Sequence, residues 1–557
     1  MKKLFTLGVL LAAWTAAFAC TNFLVGKDAS ADGSTMISYA ADSYSFYGYL
    51  HFSPAADHPK GAMREIINWD NGKPLGAIPQ VAHTYSVVGN TNEHQLTIGE
   101  TTWGGLEQLW DTVGIDYGSL IYIALERCST AREAIECVTT LVRDYGYASE
   151  GESFSFGDPN EIWIMDLIGK GPGEKGAVWV ATRIPDDCIA AHANQARTQG
   201  VPAPSKAAAK KAKKTGIVDM GDVMYSADII AFARKKGLFE GKDSEFSFQR
   251  VFNPYDFSGL LACEARVWSF YRHFSDDMDR YLPFVTGQTY LATGGKDVGE
   301  AMPLYIKPNH KVSVQEMKDC MRDQYEGTPL DITQGTAAGP WHSKLRYGSL
   351  KYEVDSVAYW YQRPTATQQT AWSYVSQMRS SKDAAAGGIF WFGVDDAATN
   401  VYVPMYARIT EVPECFKQGN GDLYTYSPTS AWWAFNLVAN KAYEKYERIA
   451  PEIREQQAAW DDRFNAQVEG LDREVAMLPE AEARKLLTAY SCKQAEEVVS
   501  AWKDLYIYLI TKYIDGQERK VENGQFQRNQ YGQPEMPNRP AYPEPFLRTI
   551  APETLHE

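Results

Sequence analysis

The 557-residue sequence lacks most of the short signatures that betray a hydrolase. It has no HExxH zinc pair, no GxSxG nucleophile elbow and no GxxxxGK[ST] phosphate loop. Its nine histidines are dispersed. Its eight cysteines (Cys20, Cys128, Cys137, Cys188, Cys263, Cys320, Cys415 and Cys492) are scattered without a CxxC pair, which argues against a zinc knuckle and against a disulfide framework. Cys128 and Cys137 flank a turn and are the two thiols placed to meet; two buried thiols explain them equally well. The acidic cluster Asp276, Asp277 and Asp279 lacks the spacing of a calcium loop and reads as a solvated turn. Basic residues are outnumbered, 55 to 70, and the net charge of -15 argues against nucleic acid as a main partner. There is no internal repeat.

What is present begins with the leader. Lys2 and Lys3 form a short positive start, and Leu4 to Phe18 is apolar but too short to span a bilayer comfortably. Ala17-Phe18-Ala19 puts small side chains where a signal peptidase needs them, so residues 1–19 read as a secretory signal peptide. No later apolar run is long enough for an integral membrane segment. The expected product is exported, to the periplasm or beyond, and begins at Cys20. A lipoprotein signal also ends on cysteine, but the bulky Phe18 fits that pattern poorly and ordinary cleavage fits better.

The rest is globular: 45% hydrophobic and 22% charged residues are enough for a large soluble core. TNFLVGKDASADGSTMISYAADS reads as strand, Asp32-Gly33 turn, strand, which puts Cys20 at a strand end. Residues 81–102 are strand-rich, with His83 and His94 expected in separate strands. Thr130 and Glu133 predict a capping box, and Ile135, Val138, Val142 and Tyr145 share one helical face up to Gly146. EIWIMDLIG and AVWVATRI predict one strand pair, GGIFWFGVDD and NVYVPMYARIT another. SKAAAKKAKKTG is a basic surface insertion. From Thr429 to about Ile514, Trp432, Phe435, Ala439, Ala442, Tyr446 and Ile449 recur at helical steps. Pro, Gln and Asn then dominate a tail that is extended or disordered.

A cysteine that becomes a first residue carries two useful groups. Its thiol attacks an acyl carbon, and its free α-amine takes the thiol proton. Reference pKa values of ~7.7–8.0 for the amine and ~8.5 for the thiol require no large shift near neutral pH. The amine then replaces the histidine of a Cys–His pair, and Asn side chains or backbone N–H groups supply the oxyanion donors.

CTNFLVGKDASADGSTMISYAADS closely resembles the opening of the dipeptidase A type cysteine peptidases, within the N-terminal-nucleophile hydrolase superfamily. The likeness continues in family order through TNEHQLTIGETT, YGYASEGESFSFGDPNEIWIMDLIG, RIPDDCIAAHANQAR, MYSADIIAFARKKGLF, MRDQYEGTPLDIT with GPWHS, GGIFWFGVDDAATNVYVPMYARI and SAWWAFNLVANKAYEKY. It runs from Cys20 to about residue 460. The resemblance implies an α+β fold, a four-layer αββα sandwich over residues 20–428 with a surface insertion near 200–216. A helical region, 429–515, packs on that core, and a Pro-rich tail spans 516–557.

By the same resemblance, Cys20 is the nucleophile and, through its amine, the base. Asp42 orients it, and Asn194 and Asn92 are oxyanion donors. Asp42 also reads as a strand-end cap, and both asparagines as turn residues. The implied substrates are dipeptides or other small amides, cleaved through a thioester without metal or cofactor. One departure stands out. Many relatives carry Arg three residues before the acidic residue, where this chain has Tyr39, which supplies no fixed positive charge. Arg363, on the predicted strand VAYWYQR, is a candidate for the missing charge; a surface salt bridge accounts for it as well. Tyr39 keeps a second reading open, an amidase for N-acyl compounds such as conjugated bile acids or acyl lactams. A third is a non-catalytic, lipid-anchored binding protein.

Overall fold

Every residue of Thr21–Val25 is buried, on both faces, as a strand must be when it lies inside a sheet that is covered on both sides. The strand pairs antiparallel with Thr35–Asp42, from Thr21 opposite Ala40 to Val25 opposite Met36. The turn between them closes on Asp32, whose carboxylate accepts from the Ser30 and Ser34 hydroxyls and the Ser34 N–H. Gly33 beside it adopts φ 78°, which a side chain would resist. The structure, a computed structural model, describes residues 20–382 and 384–553; the leader lies outside them.

These two strands sit within a seven-stranded antiparallel sheet. Its order is Tyr305–Ile306, Ile189–His192, Thr21–Val25, Thr35–Asp42, Thr370–Met378, Gly388–Val394 and Val403–Tyr406. A second sheet of nine strands has at its centre Ala177–Ile184, Ile162–Gly169, Gly151–Gly157 and Thr97–Gly104. Both predicted strand pairs form, and the chain is α+β. Leu24, Ile37, Ala190 and Met378 of the first sheet share an apolar cluster with Ile162, Ile164 and Ile184 of the second. Each such side chain stabilises by ~1.5–3 kcal/mol when taken out of water.

Helices cover the remaining faces. Tyr117–Arg127 and Ala131–Tyr145 bury Leu120, Ile123, Ile135 and Val138 with Phe154, Phe156 and Trp163 of the nine-stranded sheet. Thr130 caps the second of them by accepting from the Glu133 N–H. Glu133, however, reaches one residue further back than a capping box requires, to Ser129. Ala431–Glu444, Tyr446–Val475 and Glu480–Lys512 join the core of the seven-stranded sheet. Phe435, Ile449, Phe464, Leu487 and Trp502 lie in the same cluster as Phe23, Tyr374 and Phe390.

Several local expectations change. The strand expected to carry Arg363 ends at Trp360, because its ladder with Lys351–Val354 runs out there. Arg363 precedes Pro364, which favours extended backbone, and its side chain turns inward to Asp42. His94 lies in the turn between Thr91–Asn92 and Thr97–Gly104, not in a strand. The basic insertion forms the helix Lys206–Thr215, capped by Ser205. The tail carries the hairpin Val521–Glu522/Gln525–Phe526 and the short helix Glu544–Ile550, with Tyr542 beside Trp341. All eight cysteines are reduced. Among the described residues, no helix is long and apolar enough to cross a membrane.

Candidate active site

Cys20 lies at the start of the Thr21–Val25 strand and is only 2% exposed. Opposite it, the register of Thr35–Asp42 against Thr370–Met378 breaks between Ala41 and Asp42. Such a bulge re-aims backbone groups, and the Asp42 N–H here is near enough to the Cys20 sulfur to favour its thiolate. The Tyr39 hydroxyl stands 3.4 Å from Sγ and donates to Glu100 Oε1 at 2.5 Å. Glu100 comes from the facing sheet, where its carboxyl group neighbours that of Glu152, and Glu100 Oε2 and Glu152 Oε1 are both buried with no other partner. The Asn22 amide donates to the Glu100 carbonyl at 2.6 Å and ties the two sheets together beside the thiol.

Asp42 is held from two sides. Arg363 Nη2 donates to its Oδ2 at 2.7 Å and the Thr370 hydroxyl to its Oδ1 at 2.5 Å, with both charged side chains almost wholly buried. The carboxylate is therefore engaged by Arg363 and Thr370, while its own N–H favours the thiolate. Arg363 supplies charge to Asp42 and not directly to Cys20.

The other wall is Arg266, which composition and spacing did not single out. A π-helical turn, Gly259–Glu264, leads into the helix Ala265–Arg272. Such turns are frequent at functional sites because they rotate the residues that follow. Arg266 Nη1 donates to the Cys20 carbonyl at 2.6 Å and to the Thr21 hydroxyl at 2.8 Å. Its Nη2 reaches the Ala193 carbonyl and Asn194 Oδ1. A charged residue inside the apolar run LLACEARVWSF is the sequence signal that would have flagged it.

Asn194 is thus part of the site. It follows the Ile189–His192 strand in the left-handed region, φ 58°, and its amide also donates to the Thr102 carbonyl at 2.5 Å. Asn92 is placed differently. Its amide nitrogen donates to the Leu125 and Cys128 carbonyls, and its oxygen accepts from the His94 and Leu96 N–H groups. All its hydrogen-bonding capacity is spent bracing a loop against the end of the Tyr117–Arg127 helix, and no hydrogen bond takes it to Cys20.

The charges around the thiol set its chemistry. Burial, then Glu100, then Asp42 push the Cys20 thiol well up; Tyr39 and the Asp42 N–H work the other way. Burial also raises Glu100, and burial plus the charge of Glu100 raise Glu152 strongly. Burial and the neighbouring Arg363 lower Arg266 to about 10. His192 is no substitute base. Its two ring nitrogens are occupied by the Thr101 and Ser155 hydroxyls, each at 2.7 Å, and burial lowers it to about 3. No group of three or more His, Cys, Asp or Glu side chains among the described residues is placed to hold a metal ion.

A buried thiol opening a central strand, with an aspartate, an arginine and an asparagine gathered around it, is the frame against which the chain compares with known proteins. The model of peptidase family C69 matches residues 19–459. The chain belongs to peptidase family C69. As a C69 peptidase it is a hydrolase of peptide bonds. It is 24% identical over 430 residues to a probable dipeptidase of Salmonella dublin, covering 73% of this chain and 85% of that one. It is 23% identical over 514 residues to a probable dipeptidase of Latilactobacillus sakei, covering 89% and 95%. Dipeptidase A of Lactobacillus helveticus is 22% identical over 511 residues, covering 86% and 93%. The family match begins one residue before Cys20.

Proposed function

We propose that the protein is an exported dipeptidase in which Cys20, laid bare by leader removal, is both nucleophile and base. The observation that carries this reading is the setting of the Cys20 sulfur, held between the Asp42 N–H and the Tyr39 hydroxyl at the mouth of a central strand in a C69 peptidase. The freed α-amine takes the thiol proton as sulfur attacks the scissile carbonyl. The leaving amine takes that proton, a thioester remains, and water releases the second product. Arg266 holds the Cys20 carbonyl and, through Nη2, the Asn194 oxygen, which brings the Asn194 amide to the same corner as a donor for the developing oxyanion. Asn92 is left out of the reacting set.

Two facing sheets with helices on their outer faces support the four-layer αββα sandwich of N-terminal-nucleophile hydrolases as the architecture. The dipeptide substrate class rests on the relatives' names. The Asp70 carboxyl group near Glu100 and Glu152, with Glu150 near Asp70, supports it too, since an acidic field favours a free ammonium over an N-acyl group.

The test is the intact mass of the exported protein, with and without iodoacetamide, beside an assay of unblocked dipeptides and N-acyl amino acids. The expected result is a chain starting at Cys20 that cleaves dipeptides, loses turnover on alkylation and is inactive as Cys20→Ala. A different first residue, or full turnover in Cys20→Ala, overturns the reading.

A further inference from the structure

Tyr39 replaces an arginine expected beside the nucleophile, and among the described residues no cation pairs with Tyr39, Glu100 or Glu152; Arg266 holds the Cys20 carbonyl instead. Neither Glu100 nor Glu152 forms an ion pair among the described residues. The side chains are instead ordered in a line. The Cys20 sulfur meets the Tyr39 hydroxyl at 3.4 Å, that hydroxyl meets Glu100 Oε1 at 2.5 Å, and Glu100 meets Glu152. Glu152 is anchored at its far end by the Thr102 hydroxyl, 3.0 Å from Oε2. Tyr39, Glu100 and Glu152 are 4%, 3% and 0% exposed, so water does not compete for these contacts.

The proton count along this line is fixed by chemistry. Glu100 and Glu152 are neighbours with one buried, unpartnered oxygen each, and two such carboxyl groups are compatible only with one proton between them. Tyr39 has a single proton; while it goes to Glu100, the thiol must be the donor in the Cys20–Tyr39 contact. Once sulfur loses its proton, the only favourable arrangement at that contact has the phenol donating to sulfur.

We propose, resting on the reading of Cys20 as nucleophile, that Tyr39 is a catalytic residue that donates a hydrogen bond to the Cys20 thiolate, and that the Glu100–Glu152 pair positions it by holding one shared proton. The shared proton draws charge from Glu100 and weakens its hold on the phenol. When the α-amine removes the thiol proton, sulfur keeps the electron pair and the phenol O–H, still intact, turns from Glu100 to sulfur. When the thioester is hydrolysed and the thiol is restored, the phenol returns to Glu100. Stabilisation of the thiolate therefore appears only when negative charge develops, in place of a permanent cation.

The device has a pH signature. When the pair loses its shared proton, Glu100 regains full charge, holds the phenol and repels the thiolate. The described side chains facing the pair share its sign or are neutral: Cys20, Tyr39 and Tyr374 from the seven-stranded sheet, Asp70 from the loop after Trp69, Tyr117 from the helix start and Tyr147 from the loop before Gly151–Gly157. The freed α-amine of Cys20 is the group of opposite sign, and Glu152→Gln, which leaves that amine in place, separates its titration from that of the pair.

The experiment uses the mature enzyme, Tyr39→Phe and Glu152→Gln. Dipeptide kcat/KM and the rate of iodoacetamide addition to the N-terminal peptide are both followed against pH. Tyr39→Phe is expected to lower kcat/KM by about 10–100-fold and to move the alkylation profile to higher pH, because a donor to the developing charge is lost. Glu152→Gln keeps the hydrogen bond to Glu100 through an amide that cannot lose its proton, and is expected to abolish the fall in rate at high pH. The inference is overturned if Tyr39→Phe stays within twofold of the parent with an unmoved alkylation profile. It is equally overturned if the basic limb of Glu152→Gln matches the parent, the reading that decides should Tyr39→Phe fail to fold. Cys20→Ala, assayed in parallel, separates this outcome from failure of the nucleophile assignment itself.

Discussion

At the scale of single residues, Cys20 is surrounded by groups whose charge is managed in pairs. Asp42 depends on Arg363, and a buried ion pair that loses one partner leaves an uncompensated charge. Arg363→Met is expected to cost ~3–5 kcal/mol in denaturant unfolding for that reason. The double variant with Asp42→Asn should recover part of the loss, and a double variant no more stable than Arg363→Met would show the pair to be unimportant.

His192 gives a prediction with a defined sign. Its folded pKa of about 3 lies below the ordinary value of 6.5. Between those values the unfolded chain binds a proton that the folded chain refuses. Stability therefore falls as pH drops from 6.5 toward 3, and the contribution is absent above 6.5. His192→Gln, which can still bridge the Thr101 and Ser155 hydroxyls, should flatten the Tm–pH curve across that window relative to the parent and leave the two curves parallel above it. Curves parallel throughout would refute the assignment.

Residues also differ in how legible they were. Cys20, Asp42 and Tyr39 were singled out because they share one short segment that resembles the opening of a known family. Glu100, Glu152 and Arg266 were not, because each is a polar residue in an ordinary strand or helix until another element is laid against it. Asn92 shows the reverse: the amide that suits an oxyanion hole also suits bracing a loop, and only its partners tell the two apart.

At the scale of elements, the π-helical turn Gly259–Glu264 decides where Arg266 points. A Cβ on Gly259 would fall 2.5 Å from the Gln195 side-chain oxygen, next to Asn194. Gly259→Ala should push that turn away from the Asn194 loop. The expected outcome is a fall in kcat of about tenfold or more, as misplacement of a site by ~1 Å costs up to 10²-fold, with a Tm only modestly lowered. An unchanged kcat would show that the turn does not set the site. Strands and helices with strong periodicity were readable in advance, including both predicted strand pairs. The strand at Arg363 was not, because its apolar pattern belongs to an exposed hairpin whose ladder ends at Trp360.

At the scale of the whole molecule, the C-terminal helices share a core with the sheet that carries Cys20. Phe435, Ile449, Leu487 and Trp502 are fully or almost fully buried there, and Arg379 at the end of Thr370–Met378 is paired with Asp472 of Tyr446–Val475 at 2.8 Å. A chain truncated after residue 428 would expose that whole apolar face, and such patches drive aggregation. It is expected to be insoluble or to lack near-UV circular dichroism. A soluble, cooperatively unfolding product would show the helices to be a separable unit.

The sequence by itself determined the strand hairpin that Cys20 opens and the family, because both are written in neighbouring residues whose pattern needs no partner. Only the tertiary structure decided what surrounds the sulfur. Arg266 reaches the Cys20 carbonyl across 246 residues of chain, and Glu100 reaches Tyr39 across the gap between two sheets. The energy of a buried charge or proton depends on what the fold places within a few ångströms of it, and that distance is not a property of the chain until it has folded.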